Sequence, residues 1–252
     1  MRYVAIGDSF TEGVGDWWPD GTPRGWADRV AEGLAAASAE PVHYANLAIR
    51  GRLLAPIATE QVDAALALDP LPHLMTFNGG GNDMLRPGTD VRSLLELTRR
   101  AVDRCHEAGI RVVLLSGPDP SSGLPRSAAI HARGSELTLA VKDFAAERGL
   151  LFVSCWEDPT FHGPEYWCED RLHLNPHGHD RVAHLVLTAL GVPSVLGEAP
   201  AARPWRERPW DEVRYYRRHV APWIARRVRG RSSGDDRVPK HPAWSLVSPA
   251  PS

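Results

Sequence analysis

The stretch Tyr3-Val4-Ala5-Ile6-Gly7-Asp8-Ser9-Phe10-Thr11 decides how this chain is read. Four apolar residues in a row, bounded by a glycine, read as a short strand. Gly7 permits a sharp turn out of it. Ser9 then stands at a strand-to-helix turn, above the sheet, where its own N–H has no intrahelical partner and is free to meet an oxyanion.

The same texture repeats outward from that point. Val42 to Leu47, Leu74 to Phe77, Arg111 to Leu115 and Leu151 to Ser154 are further short apolar runs, which makes five predicted strands. Helical periodicity fills the gaps: Trp26, Val30 and Leu34 recur every fourth residue, and Leu94, Leu97, Ala101 and Cys105 form a stripe at spacings of three and four. Asn175-Pro176 reads as an N-cap and first helical residue of a helix running to Leu190 and ended by Gly191. Strand–helix alternation of this kind predicts an α/β fold, a parallel sheet covered by helices on both faces. Ligands in such sheets bind outside the carboxyl ends of the strands. The chemistry is therefore sought at Gly7-Asp8-Ser9, Ile49-Arg50-Gly51, Asn78 to Asp83, Ser116 to Pro120 and Trp156 to His173.

Composition sets the bounds. The 252 residues are 43% hydrophobic and 24% charged with a net charge of −2, enough to bury a core and without an overall bias toward nucleic acid or membrane. The three cysteines, Cys105, Cys155 and Cys168, do not suggest a disulfide framework. No apolar run approaches the ~20 residues of a membrane span, and the first residues lack a signal-peptide pattern, so a cytoplasmic location is expected. From about residue 193 the texture changes. Residues 203–231 hold ten arginines against three acids, which leaves the rest of the chain at −9, and carry Trp205, Trp210, Tyr215, Tyr216 and Trp223. The expected organisation is a catalytic unit over 1–192, an Arg/Trp-rich extension over 193–231 that wraps the acidic body, and a poorly ordered tail over 232–252.

Two further segments complete the chemistry. Asn78-Gly79-Gly80-Gly81-Asn82-Asp83 removes side-chain bulk at a strand mouth and places the Asn82 amide there as a donor. Asp170-Arg171-Leu172-His173 puts a carboxylate three residues before an imidazole. It can receive Nδ1–H and leave Nε2 as the acceptor facing a nucleophile. His173, His177 and His179 beside Asp170 also invite a metal reading. Pro176 opens a helix between them, however, so His177 and His179 point to different faces, and neither metal nor cofactor is expected.

Taken together, Gly7-Asp8-Ser9, Gly51, Gly80-Gly81-Asn82-Asp83 and Asp170-x-x-His173 resemble the four blocks of the SGNH hydrolase superfamily, the GDSL esterases and lipases, over roughly residues 1–192. Phe10 stands where the name-giving motif has Leu. The resemblance implies a flavodoxin-like three-layer α/β/α sandwich with about five parallel strands. It makes Ser9 the nucleophile, His173 the acid/base and Asp170 its orienter, with the Ser9 N–H, the Gly51 N–H and Asn82 as the oxyanion hole. The implied activity is hydrolysis of a small-molecule acyl ester through an acyl-enzyme. Acyl transfer from the same intermediate and a non-catalytic binding module are the alternatives. No G-x-S-x-G elbow surrounds Ser9, which disfavours the α/β-hydrolase fold. Nucleic acid is not an expected partner, and substrate identity and oligomeric state are open at this level.

Overall fold

The structure is a computed structural model that describes residues 1–38, 40–124, 127–202, 204, 214, 215, 217, 218 and 232–249. Its strands are β1 (Arg2–Ile6), β2 (Val42–Asn46), β3 (Leu74–Asn78), β4 (Arg111–Ser116), β5 (Leu151–Ser154) and β6 (His241–Val247). The helices are α1 (Ser9–Glu12), α2 (Gly25–Ser38), α3 (Leu54–Pro56), α4 (Val62–Leu66), α5 (Gly81–Met84), α6 (Val91–Glu107), α7 (Ser127–Glu147) and α8 (Pro176–Ala189). A π turn, Ile57–Gln61, joins α3 to α4.

The sheet order is β5-β4-β3-β1-β2-β6, with β1 to β5 parallel to one another. Read from β2, the parallel part is the doubly wound 2-1-3-4-5 order, and its switch point lies between β1 and β3. Alternation along β1 explains the two covered faces. Val4 and Ile6 pack with Met75, Phe77, Val112 and Leu114 under α6 and α7, while Tyr3 and Ala5 pack with Tyr44, Val113 and Val153 under α2 and α8. Tyr3, Val4, Ala5 and Ile6 of β1 are fully buried, as a strand between two helical layers requires.

The helices begin and end where their caps dictate. Asp90 accepts the Arg92 N–H at the start of α6, and Asn175 accepts the Gly178 N–H at the start of α8. Of the α6 stripe, Leu94, Ala101 and Cys105 are buried, and Leu97 packs half-buried beside them.

One expectation is overturned. The segment after residue 232 is not a structureless tail: His241–Val247 forms β6, antiparallel to β2, with Val42 opposite Val247 and Tyr44 opposite Ser245. Without it β2 would be an edge with unpaired N–H and C=O groups. Pro242 is tolerated because β6 is itself the new edge. Trp205, Trp210, Tyr216 and Trp223 of the extension lie outside the described residues; Tyr215 is described and buried.

Candidate active site

The switch point brings the ends of β1 and β3 together. At the end of β1 the Gly7 peptide groups are clamped by a buried glutamine: the Gly7 N–H donates to Gln61 Oε1 at 2.8 Å, and Gln61 Nε2 donates to the Gly7 carbonyl at 2.9 Å. Asp8 then caps α1 by accepting the Phe10 N–H at 3.0 Å. The cap leaves Ser9 as the first residue of that helix, and its N–H donates to no group among the described residues.

His173 reaches Ser9 from the far end of the chain. Its Nε2 lies 3.1 Å from Ser9 Oγ, and its Nδ1 lies 2.6 Å from Asp170 Oδ2. The other Asp170 oxygen accepts the N–H groups of Leu172 and His173, each at 3.0 Å. Arg171 takes the tight bend between them at φ 56°, an uncommon conformation for a side chain of its size. Burial pushes the Asp170 carboxyl up, but the hydrogen bond and charge of His173 and the two backbone donors outweigh it and hold it at about 2. It is therefore a carboxylate, positioned to receive Nδ1–H and leave Nε2 as acceptor for the Ser9 hydroxyl.

The three groups expected as oxyanion donors differ in what they meet. The Gly51 N–H, like that of Ser9, meets no acceptor among the described residues. The Asn82 amide, by contrast, donates to Asp8 Oδ2 and to the Arg52 carbonyl, each at 3.0 Å. Its hydrogens are engaged at rest, and they tie the ends of β1 and β3 to the Gly51 loop. Asp83 adds a second tie by accepting the Leu54 N–H at 2.9 Å. Burial raises the Asp8 carboxyl to about 6. Neither the Gln61 clamp nor the Asp8–Asn82 bond was anticipated from sequence, since both join residues more than fifty positions apart.

Behind Ser9 and His173 opens a cavity of about 110 Å³ between the sheet and helices α6 and α7. Leu54, Phe77, Leu114, Leu137, Val141 and Phe152 make it apolar, and the buried Thr98 and Thr138 line it from the two helices.

The remaining candidates range from packed in the core to exposed. Both ring nitrogens of His179 are taken by backbone, Nδ1 by the Trp26 N–H and Nε2 by the Val14 carbonyl, and burial lowers its pKa to about 4. His177 is exposed, and among the described residues no three metal-ligating side chains converge. Trp167 is buried with its indole N–H on the Phe161 carbonyl, whereas Trp17 and Trp18 are exposed. Cys105 and Cys155 are buried, and the Cys168 thiol lies near the Gly15 and Leu174 carbonyls. The fold also assembles a second Asp–His–Ser array: Asp119 Oδ2 is 2.6 Å from His131 Nδ1, and His131 Nε2 is 3.5 Å from Ser135 Oγ. Its serine sits in mid-helix and already accepts the Trp156 indole N–H at 3.2 Å, so it lacks the strand-to-helix turn that Ser9 has.

Residues 5–181 match the family model described as the GDSL-like lipase/acylhydrolase family. The chain belongs to that family. This GDSL-type ester hydrolase shares its fold with solved structures at low identity. The lipase Lip_vut3 from a goat rumen metagenome is 18% identical, with a TM-score of 0.61 over 75% of this chain and 97% of that one. TesA is 20% identical, with a TM-score of 0.61 over 75% and 98%. A catalytic mutant of the acetylxylan esterase Axe2 from Geobacillus stearothermophilus is 19% identical, with a TM-score of 0.62 over 82% and 97%. No curated protein sequence matches the chain. Among the described residues no helix is long and apolar enough to cross a membrane.

Proposed function

We propose that this GDSL-type hydrolase cleaves esters of short apolar acids through an acyl-enzyme on Ser9. The observation that carries the proposal is the relay from Ser9 Oγ to His173 Nε2 at 3.1 Å and from His173 Nδ1 to Asp170 at 2.6 Å, opening on an apolar cavity.

Ser9 Oγ attacks the acyl carbon as its proton passes to His173 Nε2, and Asp170 stabilises the resulting imidazolium. The negative charge on the former carbonyl oxygen is met by the Ser9 and Gly51 N–H groups. Asn82 joins them by exchanging the Asp8 carboxylate for the oxyanion. The intermediate collapses, the C–O bond to the alcohol breaks, and the departing oxygen takes the proton from Nε2. Water then repeats the sequence: its proton goes to Nε2, its oxygen bonds to the acyl carbon, and Ser9 leaves with the proton as the acid is released.

The cavity sets the acyl class. An apolar void of about 150 Å³ holds a benzene ring, so 110 Å³ suits an acyl chain of about four to six carbons. A series of p-nitrophenyl esters from acetyl to decanoyl should peak at butanoyl to hexanoyl. Ser9→Ala should lower kcat by on the order of 10⁴ or more in a folded protein, whereas Ser135→Ala should leave it unchanged. Normal turnover by folded Ser9→Ala would refute the nucleophile, and a peak at acetyl would refute the acyl class.

A further inference from the structure

The matched family region ends at residue 181, yet residues from the far end of the chain touch the site from two sides. Ser232 lies on the Gly51 loop. Its hydroxyl accepts the Gly234 N–H at 3.2 Å, so its single proton is left to donate to the Gly51 carbonyl, also at 3.2 Å. The Ser232 N–H donates to Asp235 at 2.8 Å and closes the turn. Gly234 packs so closely on the loop that a Cβ there would collide with the Arg50 carbonyl oxygen and approach Ile49 Cγ2 to 2.9 Å.

That carbonyl is the other end of the peptide unit whose N–H belongs to Gly51. A planar trans peptide points its C=O and N–H in opposite directions, so whatever fixes the oxygen aims the hydrogen. Gly51 sits at φ +76°, and a glycine crosses between conformations at little steric cost. Its peptide therefore needs an external clamp to stay aimed. Glu12 supplies part of it by accepting the Arg50 N–H at 2.6 Å and pairing with the Arg50 guanidinium. The Ser232–Gly234 turn supplies the rest, with one contact on the peptide unit before Gly51 and one on the unit after it. On the other side of the site, the buried Tyr215 ring lies 4.1 Å from the guanidinium carbon of Arg171, the residue at the bend between Asp170 and His173.

We infer that the C-terminal segment completes the active site, with Ser232 and Gly234 as positioning residues that aim the Gly51 N–H at the oxyanion and Tyr215 steadying the His173 loop. The inference rests on the Ser9 reading above.

The test compares kcat, KM for p-nitrophenyl butanoate and affinity for an alkylboronic acid, which becomes tetrahedral on a nucleophilic serine. Gly234→Ala should lower kcat about 10- to 100-fold, leave KM within about threefold and weaken the boronic acid by the same factor as kcat. Ser232→Ala, a milder lesion, should move kcat and boronic acid affinity together by several-fold. Tyr215→Ala should lower kcat several-fold with KM unchanged. A folded Gly234→Ala enzyme with wild-type kcat and boronic acid affinity would overturn the inference. Where Gly234→Ala does not fold, Ser232→Ala decides by the same two readouts. Failure of the underlying reading looks different: Ser9→Ala would then retain turnover, whatever the behaviour of the C-terminal variants.

Discussion

Asp170 carries the sharpest residue-scale consequence of the site. Its carboxyl titrates at about 2 in the folded protein, against about 3.9 in an unfolded chain. A depressed pKa stabilises the fold above the unfolded value, and that stability is lost as pH falls through the folded value. The window is therefore about pH 4 down to pH 2, and the size is about 2–3 kcal/mol for a side chain 28% exposed. Asp170→Asn should be less stable than wild type in urea at pH 6, and the gap should narrow between about pH 4 and pH 2; a constant gap would contradict the pairing. The same change should lower kcat by about 10⁴, because an amide can hold the imidazole in the wrong tautomer. Asp8 has the opposite sign. Its raised pKa favours folding only while it is protonated, and that contribution is lost as pH rises through about 6. The Asp170–His173 pair was legible in sequence because both partners share one short turn. The Gln61 clamp on Gly7 was not, because it depends on a π turn that points one glutamine inward fifty-four residues away.

At the scale of elements, the five parallel strands were legible because each is a short, largely apolar run bounded by turn residues and set between helical stretches. Strand β6 was not legible, since His241-Pro242-Ala243-Trp244-Ser245 lacks alternation and follows an arginine-rich stretch. What recruits it is tertiary: the unpaired edge of β2 and a buried charge. The ammonium group of Lys240, just before β6, is buried against Asp28 and also donates to the carbonyls of Pro23 and Arg24. Burial lowers its pKa against the pull of Asp28. Removing one partner of such a pair leaves an uncompensated buried charge at a cost of about 3–5 kcal/mol. Lys240→Met should therefore lower the melting temperature by roughly 10 °C and speed hydrogen exchange across β6. A melt coincident with wild type would mean that the strand is held by its ladder alone.

Across the whole molecule, the two helical layers do not pack alike. Under α2 and α8 the sheet is covered by Trp26, Val182 and Val186 without exposed surface, while under α6 and α7 the same sheet leaves the 110 Å³ cavity that opens on Ser9. No periodicity encodes such a gap, because it arises where side chains from two helices and three strands fall short of meeting. Side chains lining such a gap forgo contacts that a filled core would make, so the protein keeps it at the expense of stability. Thr98 faces the void from α6 and spends its hydroxyl on the Leu94 carbonyl one turn back, a bond that its own helix does not need. Thr98→Leu puts apolar volume into the gap and should raise the melting temperature by about 2–4 °C. The same variant should lose at least about tenfold in kcat/KM for hexanoyl esters while keeping acetyl ester turnover, since only the longer chain reaches that depth. A parallel loss on both esters would place the acyl chain elsewhere, and a lower melting temperature would mean that the void is too narrow to accept the added methyl groups.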